Sequence, residues 1–107
     1  MPKGIMVVQS SPSDPGREDE YNDWYSNTHL DEVRSVPGFV AAHRYKVHGA
    51  EAGPSGHAYM AIYEIEADDL TAPMAELRAR SASGELHMSD VLQLDPPPVV
   101  TVYELME

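Results

Sequence analysis

The sequence predicts an α+β fold of the ferredoxin-like kind: βαββαβ, with a four-stranded antiparallel sheet and two helices on one of its faces. Three observations predict it. Four short apolar segments and two helix-patterned ones follow in the order strand, helix, strand, strand, helix, strand. The strand segments alternate with period two, and the helical segments keep a 3.6-residue spacing. A chain of 107 residues has room for one modest core, so we expect a single domain over residues 1–107.

Residues 4–9 (GIMVVQ) form an apolar run rich in Val and Ile, which reads as the first strand. SSPSDPG follows, where Pro12 and Pro15 break regular structure. The first helix is expected over 17–36, with Glu18, Asp19 and Glu20 at its electropositive start. Tyr21, Trp24, Tyr25, Thr28 and His29 then share one helical face, and Pro37-Gly38 ends the helix. In FVAAHRYKVH the alternation puts Phe39, Ala41, His43, Tyr45 and Val47 on one side of the second strand. Val40, Ala42, Arg44, Lys46 and His48 fall on the other.

GAEAGPSG reads as a hairpin connection, and residues 57–66 as the third strand, with Tyr59, Ala61, Tyr63 and Ile65 on one face. Asp68 or Asp69 caps a second helix running to Ala82 or Ser83, with Pro73 inside its first turn. Residues 84–94 have the weakest pattern and are expected to hold a short helical turn with Met88, Val91 and Leu92. VVTVYELM, after Pro96-Pro97-Pro98, is the last strand.

Two helices cover one face of such a sheet, and the other face has nothing in its own chain to cover it. Both faces of these strands are largely apolar or aromatic, so the uncovered face is an expected interface. Two-fold pairing with a second copy is the simplest cover, and a homodimer is expected.

Eighteen Asp and Glu against seven Lys and Arg give a net charge of −11. Such a surface repels phosphate backbones and anionic lipids, which argues against nucleic-acid and membrane partners. The basic residues are scattered, no apolar run is long enough to span a bilayer, and no signal-peptide pattern is seen. Without cysteine there are no disulfides or thiolate nucleophiles, and cytoplasmic residence is the simplest reading.

The densest set of chemistry-bearing side chains lies on the first helix. His29 stands four residues after Tyr25 and three before Glu32, so all three meet on adjacent turns. An imidazole beside a carboxylate suits general acid–base work, since its pKa lies near neutrality. The plainer reading makes Trp24 and Tyr25 core packing and His29 a residue of the helix's wet end. His43, mid-strand between Ala41 and Tyr45, is the second candidate; its plainer reading is a core group satisfied by a tyrosine. Six tyrosines against one phenylalanine point to polar handles inside a pocket, although packing is the default for Tyr45, Tyr63 and the others.

The five histidines fall on different elements, and no HExxH, HxH or acidic calcium loop occurs, so no metal site is expected. No phosphate loop and no GxSxG elbow is present. No cofactor is expected. Haem on His29 is the named alternative for this architecture.

The stretch 20–45, EYNDWYSNTHLDEVRSVPGFVAAHRY, resembles the dimeric α/β-barrel superfamily, especially its EthD-like branch. The matching positions are Trp24-Tyr25, His29-Leu30, Pro37-Gly38-Phe39 and Arg44-Tyr45, about a quarter of the chain. The resemblance implies a homodimer whose two sheets close into a barrel, with a small-molecule cavity between sheet and helices. It implies a histidine near the end of the first helix facing that cavity. Relatives include cyclases, decarboxylases, dehydratases, isomerases and monooxygenases acting on aromatic or polyketide-like compounds, so the fold does not name the reaction. Asp31 stands where some members continue an "HxxH" or "HLP" pattern, which weakens any transfer of dehydratase chemistry.

Two functions fit. In the first, a cofactor-independent enzyme uses His29 as proton shuttle, oriented by Glu32 or a neighbouring carbonyl. Tyr25, His43 and Tyr63 bond substrate oxygens there, Tyr45 joins them in the substrate site, and Trp24 and Phe39 supply apolar wall. In the second, the same pocket belongs to a non-catalytic ligand-binding or accessory protein of a degradation or biosynthesis pathway. An open cavity with His29 at its wall favours the first.

Overall fold

A computed structural model describes residues 3–48, 57–84, 86, 89–92 and 98–106. Its strands are β1 (Lys3–Ser10), β2 (Phe39–Lys46), β3 (Tyr59–Glu66) and β4 (Val99–Glu104). They form one sheet in the order β2-β3-β1-β4, with every neighbouring pair antiparallel. This is the order that the ferredoxin-like arrangement requires, and the expected α+β class holds.

The first helical segment runs in pieces. A 3₁₀ turn at Pro15–Arg17 is capped by Asp14, whose carboxylate accepts from the Gly16 amide at 2.7 Å. Helix α1 (Glu18–Trp24) follows, then a π-helical turn over Tyr25–His29, then α2 (Leu30–Arg34). The single helix expected over 17–36 is therefore one path with a widened turn in its middle. At that turn the Leu30 amide donates to the Tyr25 carbonyl, five residues back.

The core lies between this path and the inner face of the sheet. Tyr21, Tyr25, Val33 and Val36 pack on Met6, Ala61, Tyr63 and Ile65, all buried. The register places Met6 opposite Tyr63 and Val8 opposite Ala61, so the apolar period of β1 and β3 meets on one face.

Strand β2 departs from strict alternation. Phe39 pairs with Ile65 and Ala41 with Glu64, a bulge that leaves Val40 as the extra residue. Beyond it the sides exchange. Phe39, Ala42 and Arg44 belong to the helix-facing side, where Ala42 packs on the core and Arg44 lies over tyrosine rings. His43 and Tyr45 belong to the outer side, both exposed, with His43 Nε2 at 3.6 Å from Glu64. The expectation that Phe39, His43 and Tyr45 share a side is thus corrected, because one unpaired residue inverts a period of two.

Gly38, in the turn that ends α2, has φ +101°, and an added Cβ would meet Cγ of Pro73 at 2.5 Å. Both the left-handed backbone and the close pass under helix α3 (Thr71–Ser83) require glycine there. Asp69 accepts from the amide and hydroxyl of Thr71 at the start of α3, and Gly84 ends it with φ 81°.

The turn expected within 84–94 is seen at its C-terminal end; Met88 lies outside the described residues. There the Leu92 amide donates to the Ser89 carbonyl at 3.4 Å. This turn docks on the loop after β1. The Ser13 amide donates to the Val91 carbonyl at 2.6 Å, Leu92 bridges to Pro12, and Val91 is buried.

The sheet's outer face is uncovered by the described residues. Ile5, Val7, Met60 and Ile62 run across its middle, flanked by the half-exposed rings of Tyr45 and Tyr103.

Candidate active site

Between the sheet's inner face and the helical layer lies a cavity of about 400 Å³. Met6 and Val8 of β1 and Tyr63 of β3 form its floor, and Met74 and Leu77 of α3 form one wall. His29 and Val33 close the opposite side, while Leu86, Leu92 and Pro98 close an end. The lining is apolar apart from His29, Tyr63, Arg78 and Ser81, the composition of a small-molecule site with a few placed polar groups.

The π-turn determines how His29 stands. Trp24 and His29 stack with ring centroids 4.8 Å apart and planes 20° from parallel. Tyr25 meets the same imidazole edge-on at 5.0 Å. The ring is thus wedged between two aromatics, and its Nδ1 is buried without a hydrogen-bond partner among the described residues. Burial lowers the pKa of His29 below the usual histidine value, with the charge of Glu32 opposing. The imidazole is therefore neutral at pH 7 and able to accept a proton.

Beneath it the tyrosines are paired with one another. The Tyr63 hydroxyl donates to the Tyr25 hydroxyl at 3.4 Å, and Ser10 Oγ lies 2.5 Å from the Tyr21 hydroxyl. Burial pushes the Tyr25 phenol up to about 12 and raises Tyr21 and Tyr63 as well. These phenols stay protonated.

Arg44 completes the cluster from β2. Its guanidinium lies 4.6 Å from the Tyr25 ring centroid, 5.3 Å from Tyr21 and 5.4 Å from Tyr59. It also donates to Asn22 Oδ1 and Ser26 Oγ, each at 3.0 Å. Arg44 thereby ties the helical path to the sheet at the turn that carries His29.

Of the residues singled out in sequence, His29 and Tyr63 line the cavity, whereas Trp24 and Tyr25 pack against His29 and Glu32 acts on it by charge, none of these three being among the lining residues. Phe39 stands behind them, edge-on to Tyr63 at 6.2 Å. His43 and Tyr45 are placed on the outer face, away from this cavity. Arg44, a matching position of the resemblance, and the α3 residues Arg78 and Ser81 were not singled out as site residues. Arg44 is concealed by the bulge, while the stripe Met74, Leu77, Arg78, Ser81 is legible as helical spacing.

No group of His, Cys, Asp and Glu among the described residues is arranged to hold a metal. A haem does not suit the cavity: its described lining offers one cation, Arg78, for two propionates. No described helix is long and apolar enough to cross a membrane.

No protein-family model and no curated protein matches the chain. Solved structures do. The chain is similar to an EthD family protein from Bacillus halodurans, at 17% identity and TM-score 0.61, over 99% of this chain and 100% of that one. An EthD-like protein from Ralstonia eutropha matches at 17% identity and TM-score 0.56, over 100% and 95%. A monooxygenase from the gene ActVA-Orf6 of Streptomyces coelicolor, solved with the ligand nanaomycin D, matches at 18% identity and TM-score 0.51, over 99% and 88%. The chain therefore has the ferredoxin-like fold of the EthD-like proteins.

Proposed function

We propose that this chain is a cofactor-independent acid–base enzyme acting on a small aromatic or polyketide-like compound held in the cavity, with His29 as the proton-transferring group. The observation that carries the reading is the buried Nδ1, without a hydrogen-bond partner among the described residues, of an imidazole at the wall of an apolar cavity. A buried polar atom without a partner in the protein is a standing place for a ligand atom. A proton taken next to a carbonyl or from a phenol opens isomerisation, cyclisation and elimination, and its return closes a decarboxylation. Trp24 and Tyr25 hold the ring, and Glu32 stabilises the imidazolium that forms. The monooxygenase that shares the fold and was solved with nanaomycin D supports an aromatic, oxygenated ligand class.

The active form in this proposal is a homodimer, cytoplasmic in residence, with the apolar outer faces of two sheets packed together. Dimerisation covers Ile5, Val7, Met60 and Ile62, which a lone chain leaves to water.

A second reading, a non-catalytic ligand-binding or accessory protein, draws on the pairing of the Tyr25 and Tyr63 hydroxyls, which spends them on each other. One experiment separates the two. Hydroxylated aromatics, lactones and short polyketide mimics are screened by thermal shift, and each ligand that stabilises the fold is then assayed for turnover. The enzyme reading expects binding to persist and turnover to vanish in a folded His29→Ala variant. Binding without turnover in the wild-type protein establishes the accessory reading.

A further inference from the structure

We propose that the cavity takes an anionic ligand: an apolar ring system bearing one carboxylate or phenolate, with Arg78 as its counter-ion and Ser81 as a second donor. This rests on the cavity being a ligand site and adds the charge of what enters it. Eighteen acidic residues stand in the chain, yet none lines the cavity among the described residues. Among the described residues its polar lining consists of His29, Tyr63, Arg78 and Ser81, and of these Arg78 carries the one full charge.

The other cations of the helical layer are already occupied. Arg17 pairs with Glu20 and Asp90, Arg34 with Asp31, and Arg80 with Glu76. Arg44 is held over tyrosine rings. Arg78 has no carboxylate partner among the described residues, although it stands in an acidic protein. Its position on α3 explains this. Its neighbours four before and three after are Met74 and Ser81 of the cavity stripe, and those three before and four after are Ala75 and Ala82, so none is a carboxylate. Arg80, two residues on, has Glu76 at the corresponding place.

A guanidinium presents a planar fork of N–H donors that matches a carboxylate. Ser81 adds a hydroxyl on the same side of the helix. Repulsion of an anion by the net charge of −11 is screened beyond about 8 Å in physiological salt, whereas contact with Arg78 acts inside that distance.

The test compares 2-naphthoate with its uncharged isostere 2-naphthamide by calorimetric titration of the wild-type protein and of Arg78→Gln. Arg78 is exposed, so the variant keeps the fold, and an unchanged melting temperature verifies it. The expected result is naphthoate binding about tenfold tighter than naphthamide in the wild type and equally in Arg78→Gln. Equal binding of both probes to the wild type overturns the charge assignment and leaves the cavity reading standing. A preference that survives in Arg78→Gln likewise overturns it. Failure of both probes to bind overturns the cavity as a site for aromatic ligands, and this proposal with it.

Discussion

Trp24 and His29 stack face to face at 4.8 Å although five residues separate them along one helical path. In a regular α-helix residues five apart point well away from each other, since neighbours on the surface are three and four apart. The π-turn over Tyr25–His29 closes its ring one residue later and so sets the sixth residue above the first. The catalytic candidate is held by backbone geometry first and by aromatic contact second.

A general base that must be neutral to act imposes a pH profile. Burial lowers the His29 pKa, so turnover should rise with pH through that depressed value and level off by neutrality. His29→Gln keeps the packing and removes the titration, and it should cost about 10²–10⁴-fold in kcat. A pH–rate profile of both proteins checks this; a folded His29→Gln that retains the acid limb removes His29 from the mechanism.

The same shift has a consequence for stability. The unfolded chain binds the His29 proton at the ordinary value, near 6.5, before the folded chain does. Its contribution is therefore whole above about pH 6.5 and is lost as the pH falls from there through the lowered folded value. Asp69 and Asp90, held low by Thr71 and Arg17, lose theirs only below the ordinary carboxylate range. Melting temperatures from pH 7.5 down to 5 should fall less in His29→Gln than in the wild type; parallel curves would falsify the assignment.

Arg44 contacts Tyr21, Tyr25 and Tyr59 and donates to Asn22 and Ser26. Its replacement by Met retains bulk but removes these cation–ring and donor contacts, at a cost of about 1–3 kcal/mol. For a chain this size that lowers Tm by roughly 4–8 °C per kcal/mol. Arg44→Lys should recover only part of the loss, because an ammonium cannot fork to two acceptors while lying over a ring. Thermal melts of the three proteins decide it, full recovery by Lys being the adverse result.

Ile62 lies at the middle of the outer face, opposite Val7 on one side and His43 on the other. Ile62→Glu puts a carboxylate in the proposed dimer seam. Light scattering should give the wild type twice the chain mass of 11.8 kDa and the variant the single mass. A monomeric wild type would remove the dimer from the functional proposal.

Much of the architecture was legible because local pattern and tertiary demand agree. The alternation in the run from Tyr59 to Ile65 places its buried face correctly, and the apolar run GIMVVQ marks the first strand. Pro37-Gly38 marks the end of the helical path, and the αL glycine confirms why. The core-facing side of the helix also emerged from spacing, since Tyr21 and Tyr25, which share it, are buried. Two single-residue irregularities were not legible. The π-turn and the bulge at Val40 each add one residue to a periodic element, and the periods on either side look unbroken in sequence. The bulge matters more for the site, because it sends His43 and Tyr45 outward and brings Arg44 in.

By itself, then, the sequence determined the order of elements, the sheet with the buried face of β3, and the histidine-bearing aromatic helix. Those properties follow from hydrophobic period and from turn residues, which act within a few positions of the chain. The tertiary structure alone decided the pairing of Trp24 with His29, the side to which Arg44 turns, and the meeting of α3 with the sheet around a cavity that no described carboxylate lines. These depend on register and on packing between distant segments, where one extra residue exchanges the two faces of a strand.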